Sequence, residues 1–210
     1  ERQGGGTNEN PSSGFLAPPG SYTVTLAKRV DGRVTDLGGP TPFEVVQMRE
    51  GALPQAAPEE VASFMREAAR LQRAVTAAAE AMELGFKRIK NLETALARST
   101  TDPGGLDSEL AVLKSRLFTL EEALKGNTSE RQMGEPQVPS VAGRLRVATM
   151  GDRLSTYGPT ATHRRSLEIA TEGFRDIRAG LASLLEVDLP ALEKKMEAAG
   201  VPWTPGRPLP

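Results

Sequence analysis

From Val61 onward, apolar residues recur at alternating spacings of three and four: Val61, Phe64, Ala68, Leu71, Val75, Ala78, Met82, Gly85, Ile89, Leu92 and Leu96. That alternation holds one stripe of a helix against a partner for about five heptads. It predicts a single helix of about 40 residues, roughly 60 Å long at 1.5 Å per residue. Pro58, Glu59 and Glu60 suit its start, with proline in the first turn and acids at the positive end of the dipole. The run Ser99-Thr100-Thr101-Asp102-Pro103-Gly104-Gly105 ends it. Only Gly85 in the stripe lacks a side chain to pack.

Three more helices follow from the same pattern. Leu106, Leu110, Leu113, Leu117, Leu120 and Leu124 form a second stripe that stops at Gly126. The stretch from Gly126 to Pro139, with Gly134 and Pro136, predicts a loop. A third, weaker helix spans about 140–156, with Val141, Leu145 and Ala148 on one face and Val147, Met150 and Leu154 on another. Gly158-Pro159-Thr160 turns the chain. Leu167, Ala170, Phe174, Ile177, Leu181 and Leu184 mark the fourth helix, which Asp188-Leu189-Pro190 should kink or restart and Gly200-Val201-Pro202 should end. Four amphipathic helices with short connections predict an antiparallel four-helix bundle with one long member. Its core should hold Phe64, Leu71, Ile89, Leu117, Phe174 and Leu181.

Ahead of the helices the period changes to two. Tyr22, Val24 and Leu26 alternate with Thr23, Thr25 and Ala27, as in a half-buried strand. Asp31-Gly32 suits a two-residue hairpin turn, whose central positions both take positive φ. Val34 opens a return strand, and Phe43 to Val46 predicts a third after the Pro40-Thr41-Pro42 break. About three strands form only part of a sandwich, which takes about seven. A small sheet with an open edge is therefore expected. The expected organisation is a linker over 1–19, a partial β-sandwich segment over 20–50, the mainly α bundle over 56–200 and a Pro-rich tail over 201–210.

Composition narrows the function classes. The chain has 210 residues, with 26 basic against 27 acidic side chains. The near balance argues against nucleic acid as a partner, since such binders carry a basic excess. No apolar run approaches the roughly 20 residues that span a bilayer, so no transmembrane segment is expected. Cysteine is absent, which removes disulfides and thiolate metal sites. The chain opens on Glu1 rather than Met, as expected of a fragment released from a larger protein.

No chemistry-bearing constellation emerges. His163, the only histidine, stands in the first turn of the fourth helix behind Thr160 as cap, a setting that suits a surface residue better than a proton carrier or ligand. No zinc spacing, phosphate loop or dinucleotide fingerprint is present. The expectation is a non-enzymatic chain with no catalytic, cofactor-binding or metal-binding residues and no cofactor. Partner contact has two candidate places. Arg144, Arg146 and Arg153 gather with His163, Arg164 and Arg165 around the turn between the third and fourth helices. They can seat on an acidic partner or anionic membrane headgroups, or form a solvated face offset by nearby acids. Trp203, the only tryptophan, sits on the Pro-rich tail, where it can anchor a partner or cap the bundle end as the tail folds back.

The segment Ala17-Pro18-Pro19-Gly20-Ser21-Tyr22-Thr23-Val24-Thr25-Leu26, with Asp31-Gly32 and Pro42-Phe43-Glu44-Val45, resembles a junction in bacterial exported sortilin-like, Asp-box (BNR-repeat) β-propeller proteins. Pro139-Ser140-Val141-Ala142-Gly143-Arg144-Leu145, Asp188-Leu189-Pro190-Ala191-Leu192 and Ala199-Gly200-Val201-Pro202 are similar to the helical domain at their C-terminal end. The resemblance implies the end of a β-sandwich followed by a helical domain. It also implies export to the periplasm or beyond and a role in binding or scaffolding other protein chains. One expected host is a membrane complex, photosynthetic or respiratory, carrying this chain as an extrinsic subunit. A second reading is an accessory module of a secreted propeller protein. No propeller site carries over, and glycosyl hydrolase activity has no residues here to support it.

Overall fold

The computed structural model describes residues 17–48, 54–100, 102, 104–136, 138–150 and 157–207. By contact the chain divides into two units. One comprises Glu1–Met65 with Asp152–Gly158, the other Arg66–Gly151 with Pro159–Pro210. The linker expected over 1–19 lies mostly outside the described residues.

In the first unit, β1 (Gly20–Val30) and β2 (Arg33–Val45) form a two-stranded antiparallel ribbon. Asp31 and Gly32 turn it, both at positive φ, and Val30 pairs with Arg33. The predicted third strand is the far end of β2. The prolines do not break that strand because the ladder absorbs them. Between Val24 and Leu26 of β1 the partners run from Thr41 to Gly38, and between Leu26 and Ala27 from Gly38 to Asp36. Each shift inserts one extra residue into β2, a bulge that bends the strand without ending it. Gly39, at φ 104°, makes this local geometry: a Cβ there would lie 2.6 Å from the Val24 carbonyl oxygen. Pro42 sits opposite Thr23, and an edge strand tolerates proline where its nitrogen is not needed as a ladder donor.

The half-buried strand is also corrected. The period-two alternation is real, but Val24 is 55% exposed and Leu26 63% exposed. A ribbon of two strands has no second layer of its own to cover an apolar face. Only Tyr22, stacked on Phe43 with ring centroids 5.7 Å apart, and Val45 are half-buried along the two strands.

The helices are α1 (Pro58–Arg98), α2 (Leu106–Lys125), α3 (Thr128–Met133), α4 (Val141–Met150), α5 (Ala161–Ala182) and α6 (Leu189–Ala198). The protein is mainly helical, with one small antiparallel sheet among the described residues. α1 begins in the first unit, not after it. The Ala56 N–H donates to the Tyr157 carbonyl at 3.1 Å, and Gly158 lies against Ala56 and Val61, which groups the first turns of α1 with the 157–158 turn.

The α1 stripe is buried at every position except half-buried Val61. Gly85 has a packing role. A Cβ there would stand 2.9 Å from Leu185 and 3.2 Å from Leu117, so the missing side chain lets two leucines enter the groove. The α2 stripe is buried except for half-buried Leu120, which lies over Gly180 of α5. Ion pairs show how the helices of the second unit run. Glu83–Lys125 and Glu93–Lys114 set α2 antiparallel to α1. Glu109–Lys195 and Arg116–Asp188 set the α6 end of the last helix antiparallel to α2. All six predicted core residues are buried.

One helical expectation changes. The loop after Gly126 contains α3, whose start is capped by Asn127 Oδ1 accepting the Glu130 N–H at 3.2 Å. The third helix, capped by Ser140 Oγ on the Gly143 N–H, is α4, described over Val141–Met150. Residues 151–156, with Leu154, lie outside the described residues. At Asp188-Leu189-Pro190 the α-helix restarts as α6, as expected, and ahead of it Ser183–Asp188 forms a π-helical turn after α5. There the Leu189 N–H reaches back five residues to the Leu184 carbonyl. The widened turn lets the chain pass into α6 with proline in its first turn.

Candidate interaction surfaces

Surfaces, not a cleft, dominate what the described residues offer. The sole histidine takes part in a helix cap. Thr160 caps α5, its side-chain oxygen accepting the His163 N–H at 3.3 Å, while His163 Nδ1 accepts the Thr160 N–H at 3.3 Å. This reciprocal box occupies the imidazole nitrogen that faces the helix start. Among the described residues no three His, Cys, Asp or Glu side chains group as metal ligands. Among the described residues no helix is long and apolar enough to cross a membrane.

The predicted basic cluster is only partly described. Arg146, Arg164 and Arg165 are exposed, Arg144 is half-buried, and Arg153 lies outside the described residues. α4 and α5 pack together, Gly173 of α5 meeting Val141 of α4. Arg165 is engaged by its own helix, with Nη1 2.6 Å from Glu168 Oε2. That hydrogen bond, and then the Glu168 charge, hold its guanidinium above the ordinary arginine range. Arg144 differs: its Nε is buried with no hydrogen-bond partner. The cluster is thus a mixture of an ion-paired arginine, exposed ones and one partly sequestered in the α4 surface.

The tail is folded back. Val201, Thr204 and Arg207 are buried, and Trp203 remains 46% exposed. Arg207 donates through Nη1 to the Pro202 carbonyl at 3.1 Å and through Nη2 to the Glu193 carbonyl at 3.3 Å. Asn91 of α1 reaches the Pro205 carbonyl at 3.5 Å. Beneath the tail, Arg88 of α1 grips Glu193 of α6 in two hydrogen bonds, one from Nε to Oε1 at 2.6 Å and one from Nη2 to Oε2. The Glu193 side chain is 4% exposed and Arg88 23%. Sequence reasoning missed this fork. Its signal was available: Glu193 stands on the buried face of α6 with Leu189, Leu192 and Met196, where a carboxylate needs a cation.

Two apolar surfaces remain open. On the helices, Phe118 is 51% exposed and leans on Phe86, beside a shallow groove of about 500 Å³ whose rim carries Asp107, Glu93 and Lys114. On the ribbon, Val24, Leu26, Val30, Val34, Leu37 and Phe43 are all exposed. The ribbon is the surface whose alternation, in Tyr22, Val24 and Leu26, marks a face suited to burial. No family model matches the chain, and neither a curated protein nor a solved structure matches it.

Proposed function

We propose that this chain is a non-catalytic structural and protein-interaction subunit, in which a helical body carries a β-ribbon that docks on another polypeptide. One observation carries the proposal. The ribbon repeats the apolar pattern of a core strand, yet its apolar side chains stand in solvent. In this reading the helices act as an antiparallel four-helix bundle, and the ribbon is the closing part of a β-sandwich completed by other protein. The resemblance to the C-terminal region of exported sortilin-like propeller proteins adds an extracytoplasmic setting, as an extrinsic subunit of a larger and membrane-associated complex. Arg144, Arg146, Arg164 and Arg165 then offer a secondary contact for acidic protein or anionic headgroups, and Trp203 an amphipathic anchor on the docked tail.

The test is purification of the tagged chain from its native source, beside a version in which residues 20–46 are replaced by a short Gly/Ser linker. The full chain should elute with other polypeptides at constant ratio. The version lacking the ribbon should keep its helical circular dichroism and melting temperature but elute alone. Retention of the same polypeptides without the ribbon would refute the assignment.

A further inference from the structure

The two strands of the ribbon present unequal edges. β2 is blunted along its length by Pro40 and Pro42, by two inserted residues, and by the acids Asp36 and Glu44. β1 has no proline and no inserted residue, and its only charges, Lys28 and Arg29, stand together near one end. Its stretch from Gly20 to Ala27 contains no proline and no charge. No other strand pairs with it among the described residues. Proteins usually protect such an edge, because its free N–H and C=O groups template another strand. Here one edge is protected and the other is bare.

We propose that the bare edge of β1 pairs antiparallel with β1 of a second copy of this chain, about a two-fold axis at Thr25. This rests on reading the ribbon as a contact surface, and it assigns the edge to a second copy while leaving the apolar face to other protein. The sequence of β1 suits the pairing. In that register Val24 stands opposite Leu26 of the other copy, Thr23 opposite Ala27, Tyr22 opposite Lys28 and Ser21 opposite Arg29. No like charges meet, whereas a parallel, in-register pairing would set Lys28 and Arg29 beside their own copies.

Charge complementarity selects the register. Ser21 pairs with Glu44 inside the ribbon. Arg29 of the other copy would therefore lie on the same face as Glu44, across one small serine. Two strand spacings separate their Cα atoms, roughly 9.6 Å, a gap that an extended arginine and glutamate close between them. The two-fold makes this ion pair twice. It also brings Lys28 over Tyr22, which stacks on Phe43, so a cation meets an aromatic pair. The paired strands would run about 36 Å at 3.3 Å per residue. They would form a four-stranded sheet whose outer strands are both the proline-blunted β2. An isologous contact of this kind closes on itself and does not propagate.

Because the protein has no cysteine, a single Thr25→Cys substitution gives an unambiguous probe. The purified 210-residue chain should sediment as a dimer that weakens with added salt. Thr25→Cys should give a disulfide-linked dimer in high yield on mild oxidation, while Thr35→Cys on β2 should not. Arg29→Glu should raise the dimer dissociation constant roughly tenfold, as two attractive contacts become repulsive. Adding Glu44→Arg to Arg29→Glu should restore it, which a folding defect would not do. A chain that stays monomeric at tens of micromolar, or a dimer that neither crosslinks through position 25 nor responds to the charge swap, would overturn the proposal. Neither outcome touches the docking of the ribbon face on other polypeptides, which the native purification reads separately.

Discussion

The helical unit and the ribbon use the same kind of pattern and reach opposite ends. In the helices each apolar stripe finds another: Leu117 is fully buried between α1 and its neighbours, and Met82, Leu92, Leu124 and Leu184 are equally enclosed. In the ribbon Val24 and Leu26 alternate as regularly, yet stay more than half exposed. Periodicity therefore reports which face a strand or helix offers for burial. It does not report whether the same chain supplies the cover. Amphipathic helices can bury one another within one chain, whereas a two-stranded ribbon needs a further layer from elsewhere. The difference is what points to the ribbon as the working surface.

The comparison is open to direct attack through stability. Leu117→Ala removes a fully buried side chain that also fills the space left by Gly85. It should cost about 3–5 kcal/mol, since a cavity between helices pinned by ion pairs collapses only in part. Urea unfolding followed by helical circular dichroism measures it. A loss below about 1 kcal/mol would mean that the second unit is not a packed core.

The next effect in size concerns the one place where the helical interior is ionic. Glu193→Ala strips the carboxylate from Arg88, leaving a guanidinium mostly out of water with no counter-charge. The expected cost is about 3 kcal/mol, at the low end for breaking a buried pair because Arg88 keeps some exposure. It should also loosen the tail, whose Arg207 donates to the Glu193 carbonyl, so the fluorescence of Trp203, the only tryptophan, should shift to the red in the variant. Truncation after Gly200 separates the two contributions. It removes the buried Val201, Thr204 and Arg207 but leaves the fork in place, and should therefore destabilise less than Glu193→Ala.

The stripes of α1, α2 and α5, the Asp31-Gly32 turn and the Thr160 cap were legible in the sequence because each is a local rule, set by spacing or by one residue's backbone preference. What was not legible depends on partners distant in the chain. The π-helical turn is a negotiation between Pro190 and the packing of Leu184 and Leu189. The Arg88–Glu193 fork joins positions 105 apart. The continuity of β2 through Pro40 and Pro42 rests on Gly39 meeting the Val24 carbonyl across the ladder. Of the candidate site, the apolar alternation of β1 was readable, but its exposure was not, since burial belongs to the assembled molecule. The basic residues were readable as a group, but the capture of Arg165 by Glu168 and the sequestration of Arg144 Nε were not.

A smaller effect distinguishes local from tertiary order inside the helical unit. Thr160→Ala removes the oxygen that accepts the His163 N–H, and should cost about 1 kcal/mol. His163→Ala, which removes the reciprocal acceptor, should cost less than Thr160→Ala in the same unfolding assay. A histidine substitution more damaging than the threonine one would show that the imidazole does more than close the cap.

The smallest expected effect is the sharpest test of the contrast. The double substitution Val24→Thr and Leu26→Thr places β-branched side chains at both positions and removes apolar surface that already stands in water. With little burial to lose, the isolated chain's unfolding free energy should change by no more than about 0.5 kcal/mol, as for surface sites. The same pair of changes should weaken any contact that buries the ribbon face, because that contact draws on the apolar area the threonines no longer offer. Equal helical stability with lost co-elution of partner polypeptides is the predicted combination. If the double variant instead melts well below the parent while keeping its partners, those side chains serve the fold of this chain, and the ribbon is not its docking surface.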